Sequence, residues 1–287
     1  MLAADQPSDL AAQSQFIPAT AFDFDRLAKI YSDARTDYIV PMPMNGRRMQ
    51  EYVRFYDVAL DSSFVAVDSS STATGVGMLG LRKERAWITR LGIMPAERRN
   101  RVAQEMVTRL LDAARQRSAT CAQLEVIEGN EAAHRLFLKF GFADHRRLLV
   151  IRRPPGPIAA PVAGGSVEYL DAEAIDACLA ARRDTPSWID DTASLQNAGG
   201  LHGLRIVMPD GRSGWIVYRA AAFQLSHFAL DAPDPEVAVQ LLSSVHSQHP
   251  QMDTKVENLA ADSPFWAAFQ QVGYVESFRR IEMLMML

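Results

Sequence analysis

The sequence predicts a mixed α/β fold that is built twice along the chain, and three observations predict it. Segments with the two-residue period of strands alternate with segments that have the 3.6-residue period of helices. A stretch rich in proline and glycine, residues 152–165, interrupts them and is incompatible with a regular helix or a central strand. The end of the second part also repeats the end of the first at an offset of 132 residues, which indicates an internal repeat.

The first part predicts an antiparallel hairpin region followed by a β-α-β crossover. Its strand patterns occupy 16–19, 63–68, 75–82, 85–93, 123–127 and 142–151, and its helix patterns occupy 22–35, 46–56, 101–117 and 131–140. Gly141 is placed to end the last of these helices. The order β-α-α-β-β-β-α-β-α-β is typical of a mixed sheet covered by helices.

The second part follows the same order with less regular patterns. Its strand patterns occupy 166–170, 204–208, 214–219, 223–230 and 254–259, and its helix patterns occupy 172–183 and 235–248. The offset aligns Glu257 with Glu125, Asp262 with Asn130, Phe269 with Phe137, Gly273 with Gly141 and Tyr274 with Phe142. We therefore expect a flexible tail at 1–15, a first domain at 16–153, a linker at 154–165 and a second copy of the fold at 166–287.

The composition excludes several classes of function. Thirty Lys and Arg against 34 Asp and Glu give a net charge of −4, which argues against a nucleic-acid partner. No apolar run approaches the roughly 18 residues that a membrane span needs. The first 15 residues have neither the basic start nor the apolar stretch of a signal peptide. A cytoplasmic protein without a membrane partner is the expectation.

The cysteines and histidines predict no metal. Cys121 and Cys178 are too few for a disulfide framework or a zinc site, and buried, inert thiols are expected. His246 and His249 share a predicted helix end, but no Cys, Asp or Glu stands at ligand spacing. His227, on a predicted strand, is expected to be an ordinary core or surface imidazole.

The chemistry is carried by residues 91–103, LGIMPAERRNRVA. A strand there leads through a proline and a basic loop into a helix, whose first-turn N–H groups favour phosphate. Arg98, Arg99 and Arg101 add three cations at the same helix end. A bulge in the preceding strand would offer unpaired backbone groups to an amide-rich arm lying beside it. The ligand implied has a pyrophosphate at one end and such an arm at the other, and coenzyme A fits that description.

Residues 16–151 resemble the GNAT superfamily of N-acetyltransferases. The family's loop signature is Arg or Gln, two residues, Gly, one residue, then Gly or Ala; Arg98 and Ala103 are in register, and Arg101 stands at the first glycine. A second signature runs from Asn130 to Phe137 and on to Gly141 and Phe142. The two signatures occur at the separation that the family has.

The resemblance implies roles for particular residues. Acetyl-CoA would be the co-substrate, Asn130 would contact its far side, and Phe137 would stand beside it where many members have a tyrosine that protonates the leaving thiolate. The backbone of Leu91, Gly92 and Ile93 would bind the pantetheine arm, and the amides of Arg98, Arg99, Asn100, Arg101, Val102 and Ala103 would hold the pyrophosphate.

Three points stay open at this stage. Arg101 either crowds the phosphates or, since a helical backbone does not require glycine, adds an outward phosphate contact. Glu128 and Asp37 are candidates for the general base, against the alternative that each is a solvated surface carboxylate. Thr89 either faces the acceptor or points to the other side of the sheet. The resemblance implies that the loop 36–45 lies where acceptors enter the fold.

The second copy is not expected to bind coenzyme A. Residues 228–242 contain no Arg, Lys or Gly, and Asp231, Asp234 and Glu236 would repel a pyrophosphate. Completing the core, walling the acceptor site and making a homodimer contact are the roles open to it.

The sequence thus predicts an N-acetyltransferase that moves acetyl from acetyl-CoA to a primary amine, of a small molecule or a protein, in its first domain. The alternatives are a non-catalytic coenzyme A-responsive regulator or interaction subunit, and an acyltransferase for a longer acyl group.

Overall fold

The structure is a computed structural model, and it describes residues 14–98, 100–158 and 165–287. It divides into two compact units. The first runs to Leu124 and includes Met285–Leu287, and the second is Glu125–Leu284. Residues 1–13 of the predicted tail, residues 159–164 of the predicted linker and Arg99 lie outside the described residues.

The first unit is a sheet with helices on both faces. Its strands follow the order β1-β2-β3-β4-β5, and all neighbours are antiparallel except β4 and β5. Its elements are β1 (Gln15–Pro18), α1 (Phe24–Asp33), α2 (Gly46–Phe55), β2 (Phe64–Val67), β3 (Ala73–Arg82), β4 (Arg85–Ile93), α3 (Val102–Gln116) and the start of β5 (Cys121–Ile127).

The two faces of β3 explain how the helices pack. Val76 and Met78 are fully buried in a core that includes Leu27 of α1. Gly77 faces the other way, where a Cβ would stand 2.7 Å from the Cγ of Met106 of α3. The close approach of α3 to the sheet therefore depends on glycine at this position.

The second unit continues with elements in the order that the first part has. They are α4 (Glu131–Lys139), β6 (Ala143–Arg153), β7 (Ser166–Leu170), α5 (Ala172–Ala180), α6 (Thr192–Ala198), β8 (Leu201–Val207), β9 (Ser213–Ala220), β10 (Gln224–Asp231), α7 (Pro235–Gln248), β11 (Asp253–Ala260), α8 (Trp266–Gln271) and β12 (Val275–Met286). From β7 to β12 the order is that of β1 to β6. The predicted mixed α/β fold is confirmed; α6 was not predicted.

Strand β6 closes the first part of the sequence but pairs with strands of the second. The sheet of the second unit runs β12-β6-β11-β10-β9-β8-β7, so β6 lies antiparallel between β11 and β12. The unit boundary consequently falls inside β5 rather than at the linker. The domain limits at 153/154 and 165/166 describe the repeat in the sequence and stay a prediction.

Candidate active site

A β-bulge interrupts β4 beside the basic loop. Val76 of β3 is paired with Gly92 and Met78 with Thr89, so β4 has one residue more than β3 between these pairs. Arg90 takes up the extra length with φ of 51°, in the left-handed region. Pairing of β4 with β5 is confined to Arg85–Trp87 in the described residues. The far half of β4, which contains Leu91, Gly92 and Ile93, is thus an irregular strand with backbone groups suited to a ligand.

The bulge also puts two consecutive side chains on one face, which a regular strand does not allow. The hydroxyl of Thr89 shares a 2.5 Å hydrogen bond with the hydroxyl of Tyr52 of α2. The guanidinium of the next residue, Arg90, lies 3.9 Å from the centre of the Tyr52 ring. Thr89 therefore faces α2. The Tyr52–Thr89 pair has no spacing in the sequence that would have revealed it.

The helix after the bulge begins without a side-chain cap. Arg101 is the N-cap of α3, and its side chain makes no capping hydrogen bond. The first-turn N–H groups, which have no partner inside a helix, are therefore not occupied by the cap. Val102 is buried and anchors this turn to the core, and Asn100 donates from its side chain to Glu97.

The expectation that position 101 is helical is wrong. Arg101 has φ of 60° and ψ of 4°, which is left-handed backbone that favours glycine. This left-handed conformation gives a physical reason for a glycine at this position of the signature. Arg101 adopts the same conformation with an exposed side chain.

Arg98 holds the loop between β4 and α3 in place through hydrogen bonds to three residues. Its guanidinium donates to the Ile93 carbonyl at the end of β4 and to the Ala34 carbonyl after α1. It also donates two hydrogen bonds, of 2.6 and 2.7 Å, to the carboxylate of Asp37. Of the three cations expected at this helix end, Arg98 is paired with a carboxylate. Arg99 lies outside the described residues, so the expectation for it stays a prediction.

The same contact changes the role expected for Asp37. The hydrogen bond from Arg98 holds the pKa of the Asp37 carboxyl below its ordinary value. A carboxylate tied up in this way is a weak proton acceptor. The geometry favours Asp37 as the anchor of the loop 36–45 to Arg98, not as the general base.

The remaining candidates lie in the second unit and have structural partners there. Glu128 pairs with Arg147 at 3.0 Å. The side chain of Asn130 accepts from the Ala133 amide and caps α4. Phe137 is buried, with its ring 5.6 Å from that of Phe142. A hydroxyl is thus absent from the position that the family signature gives to tyrosine.

The second copy repeats the bulge without the loop. Between the pairs Ser226–Arg219 and Ala229–Val217, β10 also has an extra residue, and His227 has φ of 53°. Burial lowers the pKa of His227 to about 4. Residues 94–101 separate β4 from α3, whereas residues 232–234 alone separate β10 from α7.

The start of α7 is filled by side chains. Asp234 caps it by accepting from the Val237 amide. Arg212 donates to Asp234 and to Glu236, at 2.8 and 2.9 Å, and Arg183 pairs with Asp231. The acidic residues predicted to repel a phosphate are thus engaged within the protein.

A short turn, Trp188–Asp190, occupies the space where β10 and β11 diverge. In the described ranges these strands pair at Gln224–Asp253 and Leu225–Thr254 alone, and the turn contacts both. Trp188 is fully buried. Burial raises the pKa of the Asp190 carboxyl to about 7, against the opposing charge of Arg182.

The described residues include no group of three or more His, Cys, Asp and Glu side chains that could hold a metal ion. His246 bonds the Tyr274 hydroxyl and His249 the Tyr218 hydroxyl. No helix in the described ranges is long and apolar enough to cross a membrane. Cys178 is buried and Cys121 half-buried, and both are free.

Comparison with known proteins assigns a family to the first part of the chain. Residues 26–142 match the family described as the acetyltransferase (GNAT) family. This match supports acyl transfer as the class of reaction. No curated protein matches the chain at a significant level.

Solved structures extend the likeness to the whole chain. A GCN5-related N-acetyltransferase from Sphaerobacter thermophilus is 15% identical, with a TM-score of 0.70, over 94% of this chain and 95% of its own. A tandem GNAT protein from the clavulanic acid biosynthesis pathway is 14% identical, with a TM-score of 0.65, over 96% and 98%. Eis1 from Mycobacterium abscessus is 17% identical, with a TM-score of 0.52, over 96% and 73%. The predicted tandem arrangement of the fold is confirmed.

Proposed function

Because residues 26–142 belong to the GNAT acetyltransferase family, we propose that the chain transfers an acetyl group from acetyl-CoA directly to a primary amine, using its first copy of the fold. The observation that carries the proposal is the bulge of β4 followed by the uncapped start of α3. The second copy retains the bulge but has a capped helix start, so we assign it no cofactor.

In this proposal the cofactor lies along the irregular half of β4. Its pantetheine amides bond the backbone of Leu91 and Ile93, while the missing Cβ of Gly92 leaves room for Ala34 and Arg35. Its pyrophosphate lies at the first turn of α3, where the helix dipole and the N–H groups of Val102 and Ala103 favour negative charge.

The reaction needs no covalent intermediate on the protein. The amine nitrogen attacks the thioester carbon, the C–S bond breaks, and one proton from the nitrogen ends on the sulfur, giving an amide and free coenzyme A. Backbone N–H groups near the bulge polarise the carbonyl, and alignment of the two reactants supplies much of the rate.

The proton donor to sulfur in this scheme is the Tyr52 hydroxyl. Phe137 has no proton to give, whereas Tyr52 lies beside the bulge, bonded to Thr89 and under the Arg90 guanidinium. A nearby cation stabilises the phenolate that remains after proton donation, and the proton that the amine nitrogen loses restores the hydroxyl. General acid catalysis of this kind contributes roughly 10²–10⁴-fold, so Tyr52→Phe should lower kcat by at least tenfold without weakening acetyl-CoA binding.

The test is a thermal unfolding titration of the full chain with acetyl-CoA, followed by thiol release with a panel of primary amines. Cofactor at about 100 times its Kd should add roughly 2.7 kcal/mol of stability. Arg98→Ala removes the loop brace and should abolish this gain. Arg115→Ala, which breaks an exposed pair with Asp112 at the other end of α3, is the matched control and should retain it.

The outcomes separate the alternatives. Stabilisation together with thiol release supports the transferase. Stabilisation without turnover of any amine supports a coenzyme A-responsive regulator, for which Phe137 is the specific feature. A longer acyl-CoA that is turned over faster than acetyl-CoA would overturn the choice of donor. No stabilisation at millimolar acetyl-CoA would refute the site itself.

A further inference from the structure

The end of α1 and the loop after it form a cluster of arginines on aromatic rings. The cluster consists of Tyr31, Arg35, Tyr38, Met42 and Arg90, and we call it the Arg35 cluster. Its backbone is fixed because Ser32 bonds both the amide and the carbonyl of Met44. All its members are in the first unit.

Arg35 is held in place by rings rather than by acids. Its guanidinium carbon lies 3.3 Å from the centre of the Tyr38 ring and 5.1 Å from that of Tyr31. Aromatic faces attract the charge but leave the in-plane N–H donors unused. The Arg35 stem packs near Gly92, where a Cβ would stand 3.7 Å from its Cγ. The guanidinium is thus anchored beside the irregular half of β4.

Among the residues that the structure describes, none offers an oxygen acceptor to the donors of Arg35. Its Nε is buried and has no hydrogen-bond partner, and its Nη2 reaches only the Met42 sulfur at 3.9 Å, which is a weak acceptor. No carboxylate pairs with Arg35 in the described part of the chain, since the nearby Asp37 is bound by Arg98. Buried polar atoms of this kind ordinarily have a partner, and an incoming anion would supply one.

A second guanidinium converges on the same place. Arg90 donates to the Tyr31 hydroxyl at 2.8 Å and lies 4.9 Å from the centre of the Tyr31 ring. Its Nη1 is also 3.9 Å from the Met42 sulfur. Two like charges at one ring and one sulfur repel each other, and an anion bound near both relieves that repulsion.

We propose that the acceptor amine carries a carboxylate, which Arg35 binds while the amine points towards β4. The inference rests on the proposed function, because it names the substrate class for the same site. A plain amine or a polyamine brings only positive charge to the two arginines, whereas an amino acid brings the missing acceptor oxygens. The planar guanidinium binds a carboxylate through two parallel hydrogen bonds.

The test uses the full chain with acetyl-CoA and matched pairs of acceptors that differ only in the carboxylate. Suitable pairs are phenylalanine with phenethylamine and 4-aminobutyrate with propylamine, and spermidine serves as a cationic amine. We expect kcat/KM, from thiol release, to be at least tenfold higher for one carboxylated amine than for its partner. Arg35→Gln should raise KM for that acceptor by about 10- to 100-fold and leave KM for acetyl-CoA within twofold.

Two further variants make the result specific. Arg35→Lys keeps the charge but loses the planar fork, so it should restore part of the affinity. Arg47→Gln removes an exposed arginine of α2 that pairs with Glu51, and it should behave like the unmodified chain. The thermal midpoints of all three variants establish that they are folded.

Failure of the inference and failure of the proposed function give different results. Equal turnover within each pair, or a raised KM for acetyl-CoA in Arg35→Gln, overturns the carboxylate site and leaves the transferase intact. If no amine is turned over, thermal titration with the carboxylated amines decides. A rise in the midpoint that Arg35→Gln abolishes supports the carboxylate site even though the transferase fails, and no rise refutes both.

Discussion

The segment from β4 to α3 and the segment from β10 to α7 share a backbone design and differ in what could bind there. Both strands have a bulge with a left-handed residue, Arg90 in one and His227 in the other. Only the first is followed by a long basic loop and an uncapped helix, while Asp234 caps the second helix. The bulge is thus common to both copies, and we propose that the loop and the cap determine whether a phosphate binds.

The two copies can also be compared where the bulged strand diverges from its parallel neighbour. The neighbours are β5 beside β4 and β11 beside β10. In the second copy, Trp188–Asp190 contacts both β10 and β11, and Trp188 is fully buried. The chain itself fills the space between these diverging strands. The second copy thus has packing contacts at the place where we propose that the first binds its cofactor.

Removing the Trp188 side chain should have the largest effect on the free energy of unfolding. Trp188→Ala removes a fully buried indole and should lower the free energy of unfolding by about 3–5 kcal/mol, measured by urea unfolding. Phe223→Ala is the control, because Phe223 is 86% exposed, and it should change stability by less than about 0.5 kcal/mol. The variant should still bind one equivalent of acetyl-CoA. A second bound equivalent would mean that Trp188 alone closes the second copy.

The buried carboxyl in the same turn should make this part of the molecule sensitive to pH. The pKa of Asp190 is about 7 in the folded chain against 3.8 ordinarily, chiefly because of burial. The folded state keeps the proton that the unfolded state releases, so the contribution is present below about pH 4 and is lost as pH rises to about 7. The shift corresponds to roughly 4 kcal/mol at most.

Asp190→Asn removes this titration and should be less sensitive to pH than the unmodified chain. We expect the free energy of unfolding of the variant, relative to the unmodified chain, to increase between pH 5 and pH 8. Asp262→Asn, at an exposed carboxylate, is the matched control. Parallel pH curves for Asp190→Asn and the unmodified chain would contradict the buried, protonated carboxyl.

Periodicity and turn residues predicted the elements around both bulges, because burial of one face leaves a local pattern in the sequence. They could not predict that β6 lies between β11 and β12, since strand order is set by contacts distant in sequence. The pairing of Arg98 with Asp37 joins residues of two separate loops, so no spacing rule reveals it. The turn at Trp188 has neither strand nor helix period. The family signature predicts a phosphate loop at residues 98–103, but the identity of residue 101 as arginine does not reveal its φ.

A substitution at Arg101 is the most direct way to make the start of α3 resemble the start of α7. Arg101→Asp replaces a cation with an anion at the N-cap of α3, as Asp234 does in α7. It should weaken acetyl-CoA binding by about 100-fold, roughly 2.7 kcal/mol, measured by calorimetry. Arg101→Gly supplies the residue that suits φ of 60° and removes only the charge, so its loss should stay within about tenfold.

The opposite change tests the copy that lacks the loop. Asp234→Asn keeps a capping oxygen on α7 and should leave the Kd for acetyl-CoA unchanged, because we expect no cofactor there. If Arg101→Asp and Arg101→Gly weakened binding equally, loss of the arginine side chain would account for the whole effect, and the added negative charge would contribute nothing. An anion at the helix start would then not be the feature that distinguishes the two copies.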